Sequence, residues 1–506
     1  MASHIRTGSI VGLEACLVHV ETDISPGLPA FVVVGLPDTA VQEARERVRS
    51  AMKHAGISFP RTRVTVNLAP ADLKKSGTPF DLPVALAIAT AQGDIPAEAG
   101  VSRLFAGELG LDGSLRPIHG ALSFALLARE LGIQELVIPE ANAEEAALVT
   151  DIIVRPAASL SAVLAHVTNQ CGLRQEPPRH TVISSSSSAS CDFTFIRGQA
   201  QAKRALEIAA AGGHNVLLKG PPGSGKTLLA RSFASILPRL TADEALEVTR
   251  IHSVAGLLKE HGLINDRPFR SPHHSASPTA LVGGGSTPKP GEISLAHRGV
   301  LFLDELPEFA RTVLESLRQP LEDGVVTISR AQGSCSFPAR FTLLAAMNPC
   351  PCGFATDQDR PCICSPNQLI SYQKRLSGPL LDRIDLCVEV PKVPTEDLTR
   401  VEPAEASAAI QQRVQEARDR QTKRLTPYHI QTNAELNSSL IRDLAPLHPD
   451  AKTLLQHAIE RYHLSARSYF RLIRVAQSIA DLSKMDEITT DHIAEALQYR
   501  ASSGPS

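Results

Sequence analysis

The chain has 506 residues, of which 43% are hydrophobic and 21% charged, and its formal net charge is −2. A chain of this length forms about two to four domains, and its near-neutral charge excludes a globally basic surface for nucleic acid, so any such binding depends on local patches. No apolar run approaches the ~18 residues that span a bilayer, and the N-terminus lacks a signal-peptide segment, which predicts a cytoplasmic protein without membrane contact. The nine cysteines do not suggest a disulfide framework.

Residues 1–171 alternate strand-like and helical patterns. Apolar runs typical of strands occupy residues 30–35 and 63–68, and helical patterns occupy residues 41–56 and 82–93. This alternation predicts an α/β domain.

Two segments of this region, 74–89 and 107–142, resemble the proteolytic domain of Lon-type proteases, an α/β domain of the ribosomal-protein S5 type. That family uses a Ser–Lys dyad, and its motifs place Val84 at the nucleophile's position and Leu122 at the lysine's. Neither side chain can attack a peptide bond or accept a proton, so the resemblance implies an inactive domain that serves as a scaffold or interaction module. Three nearby polar residues are interpreted as part of a solvated loop: Lys74, Lys75 and Ser76.

Residues 172–191 contain two prolines and a run of five serines, a composition that cannot support a core. We therefore predict a flexible linker, which would let the domains on either side move relative to each other. The next segment, 195–213, has apolar residues at helical spacing and ends in two glycines, which predicts a helix.

A glycine-rich loop joins a short apolar strand, residues 216–218, to a helical pattern that starts at Leu228. This is the P-loop arrangement, in which backbone N–H groups and the N-terminus of the following helix bind phosphate oxygens. The side chain of Lys226 is expected to reach the β- and γ-phosphates of ATP, and the Thr227 hydroxyl is expected to bind Mg²⁺. The predicted loop residues are Gly220, Pro221, Pro222, Gly223, Ser224, Gly225, Lys226 and Thr227.

A second apolar strand, residues 300–303, ends in the acidic pair Asp304 and Glu305. Downstream of a P-loop, the first acid is expected to hold Mg²⁺ and the second to polarise the attacking water. The preceding segment, 267–299, is rich in Pro, Gly and Ser and predicts an inserted loop or hairpin. Two adjacent residues in it are interpreted as hydrogen-bonding or surface groups rather than metal ligands: His273 and His274.

Residues 308–324 predict one amphipathic helix, with four apolar residues on one face: Val313, Leu314, Leu317 and Leu321. Residues 325–348 alternate as a β-hairpin that returns to a core strand ending at Asn348. That position suits a group that orients the lytic water, but an Asn before Pro is equally typical of a turn.

Four cysteines fall within fifteen residues, as C-P-C and C-I-C: Cys350, Cys352, Cys362 and Cys364. Four thiolates can complete a tetrahedral Zn²⁺ site, although paired zinc ligands more often have C-x₂-C spacing. Reduced thiols in a loop and redox pairing are the alternatives.

From residue 395 to residue 499 the chain has helical patterns, which predicts a C-terminal helical lid. Four arginines add positive charge to this region: Arg461, Arg467, Arg471 and Arg474. Solvated helix faces are the default interpretation for them, and contact of some of them with DNA phosphate is the alternative.

Six motifs together resemble the YifB/ComM family of magnesium-chelatase-like AAA+ ATPases: GPPGSGKT, RSPHHSAS, GVLFLDELPEF, AAMNPCPCG, SGPLLDRIDL and SARSYFRLIR. The resemblance covers nearly the whole chain. It implies an AAA+ module with two insertions and a ring, usually of six subunits, with ATP and Mg²⁺ at each subunit interface. It also implies that Asn348 is sensor 1, that Arg383 is an arginine finger offered to the neighbouring subunit, and that Arg467 is sensor 2, with Arg474 as a competitor.

The predicted architecture is α/β. It comprises a Lon-like domain of the S5 type without the dyad (1–171), a linker (172–191), an AAA+ core with a parallel sheet (192–394) and a helical lid (395–506).

The leading functional prediction is a homo-oligomeric ATP-driven ring that acts on single-stranded or branched DNA, as a helicase or branch-migration factor in recombination or natural transformation. Three positive residues near the two insertions carry the DNA prediction: Lys289, Arg298 and Arg330. One alternative is the motor subunit of a magnesium chelatase, against which stands the Lon-like front domain. The other is an ATP-dependent protease or protein-remodelling factor, and its protease form is opposed by Val84 and Leu122.

Overall fold

The computed structural model describes residues 3–179, 191–258, 262–285, 288–330, 333–357, 360–394 and 404–500. It has a mixed α/β front region, a central parallel sheet flanked by helices, and a C-terminal group of helices, which is the predicted fold class. Of the helices that the structure describes, none combines the length and the apolar character that crossing a membrane requires.

The front region contains two main sheets. Its strands are β1 Ser3–Val11, β2 Glu14–Ser25, β3 Ala30–Val34, β4 Arg63–Ala69, β5 Arg103–Phe105, β6 Glu108–Leu109, β7 Leu115–Arg116, β8 Glu135–Pro139 and β9 Ile153–Ala157. Its helices are α1 Thr39–Gln42, α2 Ala44–His54, α3 Asp81–Gln92, α4 Ala121–Glu130, α5 Ala143–Ala146 and α6 Leu160–Val167. One sheet has the order β1-β2-β4-β3, and the other, with the order β5-β8-β9, is parallel.

Helix α3 is buried in the front region because its sequence is apolar on every face. It shares a hydrophobic cluster with residues of both main sheets. At its N-terminus the buried Asp81 forms an ion pair with Arg47, with 2.6 Å between Oδ2 and Nε.

The predicted dyad positions lie inside this core. Val84 on α3 and Leu122 on α4 are both buried, so neither position offers a reactive group to a substrate.

The interpretation of Lys75 as a solvated loop residue is wrong, because its side chain is fully buried and its Nζ donates to the carbonyl of Pro70. Burial lowers the pKa of this lysine from its ordinary value. The backbone explains its position, since Lys75 donates to the Leu36 carbonyl and accepts from the Asp38 N–H.

The first part of the predicted linker, residues 172–179, lies against the front region. The N–H of Glu176 donates to the carbonyl of Val154 over 3.0 Å, and Arg179 forms an ion pair with Glu144. The serine run falls within residues 180–190, outside the described part of the chain.

The central region is built on a parallel sheet with the order β11-β14-β17-β10-β18. Its strands are β10 Val216–Lys219, β11 Phe269–Arg270, β14 Val300–Leu303, β17 Thr342–Met347 and β18 Leu386–Glu389, and two hairpins add β12 Gly283–Gly284, β13 Lys289–Pro290, β15 Val325–Arg330 and β16 Gly333–Pro338. Its helices are α7 Ala200–Gly212, α8 Lys226–Phe233, α9 Ala242–Val254, α10 Pro278–Val282, α11 Glu292–Leu295, α12 Arg311–Ser316, α13 Arg318–Asp323, α14 Pro366–Gln373 and α15 Gly378–Leu381. Because β14, β17 and β10 are parallel neighbours, the segments that follow them meet at one edge of the sheet.

The amphipathic segment 308–324 forms two helices instead of the predicted one. The break falls at Leu317, between α12 and α13. Pro320 lacks the backbone N–H that a continuous helix would donate to the carbonyl of Ser316, which accounts for the interruption. The predicted apolar face survives the break, since Val313 and Leu317 are fully buried.

The C-terminal helices pack against the central sheet through α7. They are α16 Ser407–Leu425, α17 Ser438–Leu444, α18 Pro449–Tyr462, α19 Ala466–Leu482 and α20 Thr490–Gln498. Residues of α7, α16, α19 and the sheet belong to one hydrophobic cluster. The predicted helical character of this region is therefore confirmed by the five helices that lie between residues 407 and 498.

The front region contacts the central region through α9. Arg250 on α9 donates from Nε to the carbonyl of Leu13 over 3.0 Å, and the Ser253 hydroxyl donates to the buried carboxylate of Glu145. Leu13, in the β1–β2 turn, also packs in the hydrophobic cluster that contains Phe337 of the second hairpin. The front region is thus joined both to α9 and to the base of this hairpin.

Candidate nucleotide site

The glycine-rich loop between β10 and α8 has the backbone shape that a phosphate cradle requires. Gly223 and Gly225 have φ angles of 77° and 88°, in the left-handed region that favours glycine, and nothing lies within 4 Å of an added Cβ at either position. At Gly220 the constraint is contact, because a Cβ there would clash with the carbonyl oxygen of Val390. The loop therefore combines glycine-dependent turns with open space at the N-terminus of α8, as anion binding requires.

Lys226 lies inside this loop. Its Nζ donates to the carbonyls of Gly220 and Pro221, both at 2.8 Å, and lies 3.3 Å from Oδ1 of Asn348. Burial lowers the pKa of this lysine, and the nearby Asp304 carboxylate opposes the shift. The structure thus brings the P-loop lysine and the predicted water-orienting asparagine into contact.

Asp304 follows β14 and faces the first turn of α8. Its Oδ2 accepts a hydrogen bond of 2.8 Å from the Thr227 hydroxyl, and its Oδ1 accepts one of 3.0 Å from the Glu305 N–H. A hydroxyl and a carboxylate at this separation are suitable ligands, direct or through water, for Mg²⁺ bound to ATP phosphates. The residues present therefore fit the predicted metal–nucleotide complex.

Glu305 has an unusual backbone conformation at the end of this strand. Its φ is 52°, a left-handed value that costs energy in any residue with a Cβ and that occurs preferentially at functional sites. Its side chain is 58% exposed, and Oε2 lies 3.6 Å from Nδ1 of His274. Among the described residues its one ion-pair contact is thus this long one, which leaves the carboxylate available to a water molecule.

The two histidines of the insertion are hydrogen-bonding groups beside this glutamate. Their rings are 4.0 Å apart, and His273 Nδ1 lies 2.8 Å from the Ser275 hydroxyl. Within the described part of the chain they belong to no cluster of three or more potential metal ligands. Their contacts agree with the interpretation from sequence, but the contact between His274 and Glu305 had no signal in the sequence, because the two residues lie on different elements.

The four cysteines form a compact cluster directly after Asn348. Their sulfur atoms all lie within 4.8 Å of one another, and the Cys350 Sγ is 3.3 Å from that of Cys352 and 3.7 Å from that of Cys362. Backbone N–H groups of Phe354 and Ile363 lower the pKa of Cys352 to about 6, whereas burial raises the pKa of Cys350. A tetrahedral Zn²⁺ with Zn–S bonds of 2.3 Å separates its sulfurs by ~3.8 Å, so the cluster has nearly the size of a zinc site.

This cluster is fastened to the nucleotide site on two sides. Gly353 approaches Pro222 of the P-loop so closely that a Cβ at Gly353 would lie 2.7 Å from the proline Cδ. On the other side Tyr372, on α14, donates from its hydroxyl to the Asn348 carbonyl over 3.3 Å. Tyr372 and Gly353 were not identified from the sequence, because neither belongs to a motif with a chemical role.

Arg383 and Arg467 lie together, but at the opposite edge of the sheet from the P-loop. Asn215, which precedes β10, donates to the carbonyl of Arg383 over 2.9 Å, whereas the P-loop follows β10. Four strand residues span ~13 Å, so the β10 strand separates Arg383 from its own phosphate loop. Both guanidiniums pair with Glu322 on α13, and for Arg467 the distance from Nη2 to Oε1 is 3.2 Å.

The competitor for sensor 2, Arg474, has a structural position. Its Nη1 donates to the carbonyl of Ala434 over 2.7 Å, so it ties α19 to a neighbouring loop of the lid. Arg471 likewise donates to the carbonyl of Ile384. Of these arginines, Arg467 is the one that shares a carboxylate with Arg383.

The residues predicted to contact DNA differ in their surroundings. Lys289 is exposed on the first hairpin. The prediction for Arg298 is wrong, because its side chain is only 10% exposed and its Nε forms an ion pair of 2.9 Å with Glu247. Arg330 ends β15, and its side chain lies outside the described part of the structure.

Comparisons with known proteins cover nearly the whole chain. Family models described as magnesium chelatase subunit ChlI, subunit ChlI of Mg-chelatase and the subunit ChlI C-terminal region match residues 192–398, 20–142 and 404–500. The chain is 44% identical over 501 residues to the uncharacterized protein YifB of Escherichia coli, covering 99% of this chain and 97% of that protein. It is 46% identical over 495 residues to competence protein ComM of Haemophilus influenzae, covering 97% and 96%. A magnesium-chelatase 38 kDa subunit of Acidiphilium rubrum is 29% identical over 235 residues, 42% of this chain and 61% of that protein.

Proposed function

The chain belongs to the YifB/ComM family of magnesium-chelatase-like AAA+ ATPases, and from this premise we propose that it is an ATP-hydrolysing motor that assembles as a ring of six subunits and acts on DNA. The observation that carries the proposal is the division of the hydrolytic groups between two edges of one sheet. Lys226, Asp304 and Asn348 meet at one edge, and Arg383 and Arg467 meet at the other. One subunit therefore supplies only part of the set, and a neighbouring subunit supplies the rest.

Each residue at the first edge has a role that its contacts support. In this proposal the P-loop amides and Lys226 bind the ATP phosphates, while Thr227 and Asp304 hold Mg²⁺, which neutralises phosphate charge when bound. Glu305 accepts a proton from the attacking water, and Asn348 orients that water. At the second edge Arg383 and Arg467 present guanidiniums, which remain charged and match phosphate oxygens, to the nucleotide of the adjacent subunit.

We retain the predicted domain division in this proposal. The front domain, residues 1–171, is a scaffold without peptidase activity, supported by the burial of Val84 and Leu122. Residues 172–191 connect it to the AAA+ core at 192–394, and residues 395–506 form the lid. As an ATP-dependent DNA motor, the protein would act in the cytoplasm.

DNA is the proposed substrate because of the two hairpins and the relative named as a competence protein. In a ring, a few positive side chains per subunit, repeated around a channel, hold a phosphate backbone without a globally basic chain. Lys289 on the first hairpin and Arg330 at the end of β15 are the candidates. The role that we propose is unwinding or branch migration of recombination intermediates, as in natural transformation.

The Lys289→Ala, Arg330→Ala double variant tests the DNA proposal. We expect basal ATPase activity to stay near the wild-type rate, and stimulation by four-way-junction DNA to fall at least ~10-fold, because each lost cation removes a phosphate contact in every subunit. ATPase rates would be measured with single-stranded, duplex and junction DNA, with the Arg49→Ala, Lys53→Ala double variant in the front domain as a matched loss of two exposed positive charges.

Wild-type affinity for DNA is expected to fall steeply between 50 and 200 mM salt, by about 10³-fold if six or more phosphates are contacted. Salt-insensitive binding, or unwinding that persists in the double variant, would contradict the channel assignment. The alternatives would then lead, namely protein remodelling or a chelatase motor subunit. The chelatase alternative gains support from the family descriptions, one of which also matches residues 20–142 of the front domain.

We further propose that the four cysteines bind a structural Zn²⁺. The support is the compact cluster of four sulfurs, since four thiolates complete a tetrahedral zinc site. The cysteine loop lies between Asn348 and Pro222 of the P-loop. A bound zinc ion would make this loop rigid and so hold the proposed water-orienting residue against the P-loop.

Purified protein is expected to contain about one zinc ion per chain, and the Cys362→Ser, Cys364→Ser double variant is expected to contain about none. Elemental analysis under reducing conditions measures this directly, with the exposed Cys171→Ala variant as the control. Chelation should also lower the melting temperature of wild type but not of the double variant, because metal binding stabilises the folded loop. A metal-free wild type whose mass shows a disulfide would instead establish redox pairing.

A further inference from the structure

A single carboxylate, Glu322, holds both of the arginines that the proposed function assigns to the neighbouring nucleotide. It lies in α13, and its two oxygens face two different partners. Oε2 accepts from Nη2 of Arg383, and Oε1 lies 3.2 Å from Nη2 of Arg467. Arg383 belongs to the loop before β18 and Arg467 to the first turn of α19, so Glu322 connects three separate elements.

The arrangement leaves the Arg467 guanidinium accessible to a further anion, whereas the Arg383 side chain is only 13% exposed. Arg383 donates from Nη1 to the carbonyl of Pro379 over 2.7 Å, and its Nε is buried without a hydrogen-bond partner among the described residues. Arg467 is 45% exposed and uses Nη2 for the glutamate. Two guanidiniums and one carboxylate carry a net charge of +1, so the group still attracts phosphate.

Without the carboxylate of Glu322, the two guanidiniums would repel each other, because each carries a positive charge. Asp385, two residues after Arg383, is already engaged elsewhere, because its carboxylate accepts from the N–H of Asn215 over 3.0 Å and lies 3.6 Å from His214. Glu322 is itself 54% exposed, which means that packing does not explain its presence. Its evident effect is to bring two like charges to one place.

We propose that Glu322 is the residue that positions Arg383 and Arg467 as a paired clamp for the γ-phosphate of ATP bound in the adjacent subunit. The proposal rests on the proposed function, in which these arginines act between subunits. Glu322 is a positioning residue, since it touches the arginines and not the nucleotide. It lies three residues before the start of β15, so the clamp is attached to the base of the hairpin that we propose contacts DNA.

The first test asks whether Glu322 positions the two arginines or only stabilises the fold. Glu322→Ala is expected to lower kcat for ATP roughly 10- to 100-fold, because small displacements of a catalytic group cost that much, and to leave the KM for ATP nearly unchanged. Glu322→Gln should lose a similar amount, since its amide N–H₂ cannot accept from a guanidinium. Asp323→Ala, which removes the adjacent exposed carboxylate, should behave as wild type.

The second test asks whether the lost group acts on the neighbour. Glu322→Ala subunits keep an intact P-loop and Glu305, whereas Glu305→Gln subunits keep an intact clamp. Mixed rings of these two impaired proteins should hydrolyse ATP in a single turnover faster than either parent protein alone, at sites where a Glu322→Ala subunit receives its arginines from a Glu305→Gln neighbour. A structural defect in the Glu322→Ala subunit would not be repaired in this way.

Mixtures of Arg383→Ala with Glu305→Gln distinguish two claims. One is that Glu322 positions the arginines, and the other is that neighbouring subunits share the hydrolytic groups. If these mixtures recover activity and those with Glu322→Ala do not, the positioning role of Glu322 is wrong and the division of groups between subunits stands. If neither mixture recovers, the division between subunits fails and the clamp fails with it. A Glu322→Gln protein with wild-type kcat would also overturn the proposal.

Discussion

Replacing Glu305 with glutamine is expected to slow ATP turnover at least ~10²-fold while leaving the affinity for ATP within about threefold of wild type. Glutamine has nearly the same size and can still donate a hydrogen bond, but its neutral amide cannot accept the proton of the attacking water. Binding should persist because the phosphate-binding groups, Lys226 and Thr227, make no contact with the Glu305 side chain. The exposed side chain of Glu305, with its weak contact to His274, leaves room for that water.

Two measurements are needed for this variant. Phosphate release under saturating ATP gives kcat, and equilibrium binding of a labelled nucleotide gives the dissociation constant. Glu308→Gln is the matched control, because Glu308 is an acid three residues further along the chain whose carboxylate pairs with Arg375 at 2.8 Å. Normal turnover in Glu305→Gln, or an equal loss in the control, would remove Glu305 from the proposed mechanism.

The nucleotide half of the site was largely predictable, because its signals are local and its assembly follows from topology. The P-loop, the acids after β14 and the asparagine after β17 each follow an apolar strand in the sequence. Once those strands are parallel neighbours, their carboxyl ends meet, and the contacts of Lys226 with Asn348 and of Thr227 with Asp304 follow. The sequence also predicted both hairpin strands and the helices of the lid.

The parts that were not predicted depend on contacts between elements distant in the chain. Nothing near Glu322 distinguishes it from any exposed acid at a helix end, and its partners are 61 and 145 residues away. Lys75 was misjudged for the same reason, since its burial depends on backbone pairing with residues 36–38. Arg298 was misjudged because its partner Glu247 lies on α9, 51 residues earlier. Periodicity and motifs carry no information about such pairs.

The docking of the front domain also had no sequence signal. The Ser253 hydroxyl donates to Glu145, and the Leu122 N–H donates to the same carboxylate over 2.6 Å. The segment around Leu122, which the resemblance aligns with the lysine motif of Lon-type proteases, therefore lies at the contact with α9.

Arg383→Ala is expected to show the largest loss, about 10³-fold in kcat, because an arginine that meets the transferred phosphoryl group from a neighbouring subunit contributes on this order. The affinity for ATP should change little, because the variant subunit keeps its own P-loop. In that subunit residue 383 lies at the opposite edge of the sheet from the P-loop. Arg375→Ala, a loss of one exposed arginine that pairs with Glu308, is the matched control and should remain active.

Mixing decides where this arginine acts. In a ring assembled at random from equal amounts of Arg383→Ala and Glu305→Gln subunits, a site is complete when its own subunit carries Glu305 and its neighbour carries Arg383. Each condition holds with a probability of one half, so roughly a quarter of the sites should hydrolyse ATP in a single turnover, although each parent protein alone is nearly inactive. The single-turnover amplitude is the suitable measurement, because it does not require sites to fire in sequence around the ring. Wild-type amplitude in Arg383→Ala alone would show that the arginine has no catalytic role. The absence of any recovery in mixed rings, with mixing verified by co-purification of two different tags, would show that Arg383 serves its own subunit.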